Sequence, residues 1–439
     1  MQRKKILIPG GKLSDLALVN AAHRLGLYVI TAGTHTQAPA HSFADEYVCV
    51  DYSDKEAMLQ LAKDKKIDYM CTCANDFGMI STAYVCEQLG LPGHDSLETT
   101  LTIHNKDRFK PLAKKLGLHT PISEIFTDRD EAIKYIMSCE KKVIVKPVDN
   151  VASIGVSQPN TPEEKIASID LAFSKSKIKT ILVEPFIEGF FTPCTSMIIN
   201  QEVVAFFAES AFFYPEGEMI GDEFPANLRC NGGMIPAPFM DEWVPTIIED
   251  FNKIAKELKL VDGKFHAELL VNPETHEAQI FDIHRRMSGF VEPLPGWDYS
   301  TSLMWEDWIV MAECGMDLSD FPSGVKQDRY FHYREIYAPR NGKLKRMVFD
   351  DYLSAHMVPA VRIGDFTMDQ FLDGDYRCGR VNPVRARKNF TIENVEITDH
   401  IHQPILFARF RFNTIKEAEF ISDYTRDNFY SHISFEYED

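Results

Sequence analysis

The chain has 439 residues, enough for two to four domains at roughly 100–200 residues each. Its 47 Lys and Arg against 65 Asp and Glu leave a net charge of −18, which argues against a nucleic-acid or anionic-membrane partner. With 45% hydrophobic and 26% charged residues the composition is that of an ordinary globular protein, not of a disordered chain or a coiled coil.

The chain starts with MQRKKILIPGG, passing from charges straight into a short strand-like run, and no apolar stretch approaches the roughly 18 residues that span a bilayer. A cytoplasmic protein is expected. The nine cysteines are scattered without a CxxC, so they read as reduced, mostly buried thiols, Cys71 and Cys73 included. KILIPGG, SDLALVNAAHRLG, LYVITAG, YVCV, EAMLQLAKDKK and DYMCTC then alternate strand and helix patterns, the signature of a doubly wound parallel-sheet domain over about residues 1–100. Its first loop, Pro9-Gly10-Gly11-Lys12, lacks the second half of GxGxxG and the Ser or Thr of a Walker A, leaving a phosphate loop or a tight strand-to-helix turn.

From about residue 101 to 335 helices mix with hairpins, an α+β pattern. After about 336, YREIYAPRNGKLKRM and PILFARFRF surround a helix-like TIKEAEFISDYTRD and read as a small β-rich unit closing the chain at 439. No internal repeat is visible.

Four features in the middle third could carry chemistry. Lys106 heads a helix-like stretch that is followed by His119-Thr120-Pro121. Lys146 ends the apolar run Val143–Pro147, where its charge needs a partner or a ligand such as phosphate. The small residues after it, including Ser153, Gly155 and Val156, offer backbone N–H groups to a polyphosphate. Ile181-Leu182-Val183-Glu184-Pro185-Phe186-Ile187-Glu188-Gly189 leaves the core into a glycine turn and could form a flat slot for an adenine ring.

The fourth feature is a hairpin. Phe265–Val271 and Ala278–Ile283 flank a polar turn, and pairing centred on Thr275 sets Glu268 opposite Asp282 and His266 opposite His284. Alternation places Asp282, His284 and Arg286 on one face. Carboxylates about 5 Å apart destabilise a sheet unless a cation lies between them, and magnesium is the natural one. His284 stays open between a metal or substrate residue and a core histidine. Residues 209–240, with Glu209, Glu218, Asp222, Glu223 and Arg229, are polar enough to line a substrate pocket.

In this order the features resemble the ATP-grasp superfamily, in the branch of biotin carboxylase, the purine-pathway carboxylases and synthetases, and L-amino acid ligases. The resemblance implies a central ATP-grasp fold between the parallel-sheet domain and the β-rich unit, with a lid at about 120–190. It implies that Lys106 and Lys146 reach ATP phosphates under a loop matching Ser153, Gly155 and Val156. Adenine would rest on backbone groups of Pro185 and Ile187, with Glu184 at the first acidic hinge position. Glu268 and Asp282 would bind Mg²⁺, two ions or Mn²⁺ in its place, and Arg286 would support a phosphorylated intermediate beside His284. The sequence departs from the family pattern at His284 for Asn, Arg285 for Pro and Asp282 for Glu. Phe190-Phe191-Thr192 also stands where an acidic ribose ligand is usual.

The function implied is an ATP-dependent ligase joining a carboxylate to an amine through an acyl phosphate, on an amino acid or small peptide. Its partners would be small molecules, with no nucleic acid or membrane, and a homodimer is allowed. The alternatives are a bicarbonate-dependent carboxylase and an ATP-binding module without turnover.

Overall fold

The computed structural model describes residues 3–150, 154–213, 219–220, 224–225, 230–288, 303–322, 324, 330–356, 362–363, 366–367, 391–398, 406–412 and 430–438. The helix-like run at 414–427, Ser153, and Glu218, Asp222, Glu223 and Arg229 lie outside these residues. The chain forms two compact units, one of Met1–Gly93, Phe207–Pro238 and Ser288–Asp439, the other of His94–Phe206 and Phe239–Met287. No helix among the described residues is long and apolar enough to cross a membrane.

The first unit begins with the expected alternation: β1 (Lys5–Pro9), α1 (Leu13–Arg24), β2 (Tyr28–Ala32), β3 (Glu46–Val48), α2 (Lys55–Lys65), β4 (Tyr69–Met70) and α3 (Asp76–Leu89). The strands form a parallel sheet in the order β3-β2-β1-β4. Parallel strands of this kind need both faces covered, and Ile6, Leu7, Ile8, Val29 and Ile30 are fully buried. Side chains start the helices: Asp54 accepts from the backbone N–H groups of Glu56 and Ala57, and Asn75 from those of Phe77 and Gly78. Cys71 and Cys73 are buried thiols.

The loop at Gly10 is a tight turn that supplies its own hydrogen-bond acceptor. Gly10 has φ +92°, and a Cβ there would lie 2.7 Å from Asp15 Oδ2, so only glycine fits. The Asp15 carboxylate is buried and accepts from the N–H groups of Gly11 and Lys12, each at 2.9 Å, and of Ala74 at 3.0 Å. Burial raises this carboxyl above the usual carboxylate range, outweighing the three backbone donors and Lys12 that pull it down. The amides that a phosphate would need are taken.

The rest of the first unit is antiparallel. Strands Ser210–Phe213, Cys230–Ile235, Tyr330–Ile336 and Leu406–Phe412 form one sheet, and Thr391–Ile397, Gly342–Phe349 and Ile433–Tyr437 another. Met234, Ile336, Leu344, Met347 and Phe410 join them in one core.

The second unit contains α4 (Leu97–His104), α5 (Lys106–Leu116), β5 (Glu124–Phe126), α6 (Arg129–Ser138), β6 (Val143–Pro147), α7 (Pro162–Lys175), β7 (Ile181–Pro185), β8 (Phe190–Ile199), β9 (Glu202–Ala208), α8 (Met240–Leu258), β10 (Gly263–Val271) and β11 (Ala278–His284). β5, β7 and β6 make an antiparallel sheet whose Val145, Ile181 and Val183 pack on Ile136 of α6 and Ile169 of α7. A second antiparallel sheet has the order β11-β10-β8-β9. Phe251 of α8 meets Phe265 of β10 edge-on at 4.8 Å between ring centroids, a favourable aromatic geometry.

Candidate active site

The β10–β11 hairpin has the register the alternating pattern requires. Glu268 faces Asp282, Ala267 faces Ile283 and His266 faces His284. The register slips by one after Glu268, so Leu269 pairs with Ile280 and Phe281 is the extra residue of a bulge. On the other edge of β11, the Ile280 N–H donates to the His119 carbonyl at 2.7 Å. Ligand atoms of Glu268, Asp282 and His284 all lie within 4.8 Å of one another, a set of two carboxylates and an imidazole that suits a divalent cation.

The electrostatics separate the two acids. Burial would raise Asp282, but the Lys106 ammonium, 2.7 Å from its Oδ2, holds it well below the usual carboxylate range. Glu268 is pushed up by burial and by the charge of Asp282.

Lys106 heads α5, whose buried residues are Lys106, Phe109, Lys110 and Ala113, so two lysines lie on the stripe that faces inward. Lys110 belongs to the site although the sequence reading passed it over. Its ammonium lies 3.1 Å from Glu184 Oε2 and donates to Thr120 Oγ1 at 2.9 Å. The other oxygen of Glu184 is paired with Lys146. Burial alone would raise Glu184, but Lys146 and Lys110 bring it down to about 2, and Ser123 Oγ donates a further hydrogen bond at 2.8 Å. Glu184 is thus a buried anion that holds two lysines in place. Phe281, also missed, has its ring 5.7 Å from Lys146 Nζ and 5.6 Å from the ring of Phe191. Lys110 had a signal in its i+4 spacing from Lys106, whereas Phe281 had none.

The segment after β6 returns to it through paired Val145 and Ser157 backbones. Gly155 has φ +80°, and a Cβ there would lie 2.9 Å from Pro147 Cγ. Val156 follows it, half-buried. Asp149 accepts from the N–H groups of Lys177 and Ile178, which ties the segment to the end of α7. Pro185 is exposed at the end of β7, and Ile187 is half-buried in the connection to β8.

Arg286 is not on a strand face with Asp282 and His284, as alternation predicts, because β11 ends at His284. Arg285 explains the break. Its Nε lies 2.6 Å from Asp95 Oδ2, and its Nη atoms donate to the carbonyls of Lys264 at 2.5 Å and Val261 at 2.6 Å. Three buried hydrogen bonds pull the chain out of the ladder one residue before Arg286. Arg286 itself is buried and donates to the Met287 carbonyl at 2.8 Å.

The second unit therefore combines an antiparallel sheet carrying paired acids with a smaller sheet carrying Lys146 and Glu184. Residues 104–277 match the family model of the phosphoribosylglycinamide synthetase ATP-grasp (A) domain. A formate-dependent phosphoribosylglycinamide formyltransferase of Synechococcus sp. (strain CC9902) is 27% identical over 202 residues, 45% of this chain and 51% of that protein. The chain spans about half the length of the curated relatives it matches. Two solved structures share the fold over 100% of both chains: phosphoribosylglycinamide synthetase from Anaerococcus prevotii, with TM-score 0.69 at 19% identity, and L-amino acid ligase from Bacillus licheniformis, with TM-score 0.70 at 16% identity.

Proposed function

We propose that this chain is an ATP-dependent carbon–nitrogen ligase that activates a carboxylate as an acyl phosphate and passes it to an amine, the substrates being amino acids or small peptides. The observation that carries the reading is the pair Glu268 and Asp282, facing each other across the hairpin with Lys106 on Asp282; Lys106 and Glu268 lie inside the stretch that matches the ATP-grasp domain, and Asp282 lies just past its end.

The ammonium groups of Lys106 and Lys146 hold the ATP phosphates, and backbone N–H groups of Gly155 and Val156, with Ser153, close over them. The carbonyl of Pro185 and the backbone of Ile187 receive adenine, while Glu184 holds Lys146 in place. Glu268 and Asp282 hold Mg²⁺, with two ions or Mn²⁺ as variants, and the metal when bound neutralises phosphate charge. A substrate carboxylate oxygen attacks the γ-phosphorus and ADP leaves; the amine nitrogen then attacks the acyl carbon and phosphate leaves. Arg286 stabilises the negative charge that develops on this acyl side, and His284 borders the same space. Placement and charge do the work, with no covalent nucleophile on the protein.

The test is ADP release. Release that requires an amino acid pair supports the ligase, with the product identified by mass. Release that requires bicarbonate points to the carboxylase, and ATP binding without turnover in any mixture to a binding module.

A further inference from the structure

We infer that His284 is a ligand of the cation held by Glu268 and Asp282, and that the site consequently selects Mn²⁺ over Mg²⁺. The inference rests on the proposed reading that these carboxylates bind the cation that accompanies ATP.

The geometry favours a ligand over a packed core histidine. Register places His284 two residues beyond Asp282 on β11, and its Nε2 lies 3.8 Å from Asp282 Oδ1. That distance is too long for a hydrogen bond. Two donors at about 2.1 Å from one cation are roughly 3 Å apart at a right angle and about 4.2 Å apart across it; 3.8 Å falls between, within reach of one ion at a wide angle of about 130°. The opposite oxygen, Oδ2, is the one held by Lys106, which leaves Oδ1 on the side of the imidazole. A second imidazole lies nearby on the facing strand. His266 stands 6.1 Å away between centroids, inclined by 24°, and shares a hydrogen bond of 3.0 Å with Thr195 Oγ1. His284 itself is only 3% exposed. A ring fixed this way is a pre-set donor with little freedom left to lose.

Donor chemistry then sets the choice of metal. Mg²⁺ prefers oxygen ligands and near-ideal octahedral geometry, and gives up its water reluctantly. Imidazole nitrogen is a softer donor that suits the first-row transition metals; Mn²⁺ shares the carboxylate preference of Mg²⁺ and stands lowest in the transition-metal affinity order, yet as a transition ion it takes the nitrogen more readily than Mg²⁺ does. A site of two carboxylates and one imidazole is therefore biased towards Mn²⁺, and an amide in place of the imidazole would remove the bias.

Binding decides the matter without turnover. The full chain is titrated with Mn²⁺ and with Mg²⁺ in the presence of a non-hydrolysable ATP analogue, by calorimetry and by loss of the free Mn²⁺ resonance. ATP itself favours Mn²⁺ somewhat, so the quantity read is the change in the Mn²⁺ to Mg²⁺ affinity ratio on substitution. His284→Asn should lower that ratio by about tenfold or more, at nearly unchanged Mg²⁺ affinity. Pulsed electron paramagnetic resonance of Mn²⁺ on the unsubstituted chain should show coupling to a histidine nitrogen, identified by ¹⁵N-histidine labelling, and this readout needs no variant to fold. No histidine coupling, or an unchanged ratio in a variant that still binds the Mg²⁺ analogue complex, overturns the inference and leaves the ligase reading intact. Failure of the analogue to bind with either metal overturns both.

Discussion

Replacing Lys110 with methionine should make the protein more stable at neutral pH. Lys110 is 5% exposed, and burial brings its pKa from 10.5 down to about 8 even though Glu184 pulls it up. At about 1.4 kcal/mol per pKa unit, the charged ammonium costs the folded state about 3 kcal/mol relative to the same group neutral. The sign follows from proton counting. Between pH 8 and 10.5 the unfolded chain holds a proton that the folded chain has released, so stability rises with pH across that window, and below pH 8 the cost is constant. Methionine is neutral and of similar length. The attraction of Glu184 is already contained in that pKa, and the gain is reduced by the hydrogen bonds to Thr120 and Pro121 that methionine cannot make. Lys110→Met should therefore be stabilised by about 1–3 kcal/mol at pH 7, and the advantage should shrink as the pH approaches 10. Urea denaturation of both proteins at pH 7, 8.5 and 10 reads the difference, from which groups common to the two chains cancel. A destabilised variant at pH 7, or a gap that does not narrow with pH, refutes the reasoning. ATP should bind the variant less well, as expected where a cation is kept at a cost to stability for the sake of a ligand.

Glu268→Ala and Asp282→Ala should each cut turnover by about a hundredfold or more without unfolding the chain, and the double variant should be no worse than the poorer single, in steady-state assays of ADP release. Lys146→Ala should weaken ATP binding in calorimetry, with Lys146→Arg restoring only part, since a guanidinium is a poor stand-in for a compact ammonium; Lys106→Ala should behave like Lys146→Ala. Arg286→Ala should leave ATP binding within a few-fold while raising the barrier by roughly 2–4 kcal/mol. A lowered melting temperature with undiminished turnover would instead give Arg286 a structural role.

Much of the hairpin was legible because a short polar turn and period-two alternation fix which residues face each other, and Glu268 and Asp282 meet as the pattern requires. Alternation failed for Arg286, because the strand is ended by the bond from Arg285 to Asp95, a partner 190 residues earlier that no local pattern reveals. Lys110 was visible in principle: an inward stripe carrying charge at Lys106 and Lys110 has to meet counter-charge. Phe281 was not, since it reaches Lys146 from the bulge between Glu268 and Leu269, where the register slips. The parallel sheet was read from its strand and helix periods alone, whereas the occupancy of its first loop was not, because Asp15 is one acid among many until its three donors are seen.

That carboxylate has a thermodynamic consequence. A ligand tethered to its own receptor is present at an effective concentration that does not vary with metabolite supply, so the Gly10 loop is saturated in every cell state. The first loop of the parallel sheet then has no nucleotide-linked stabilisation to gain.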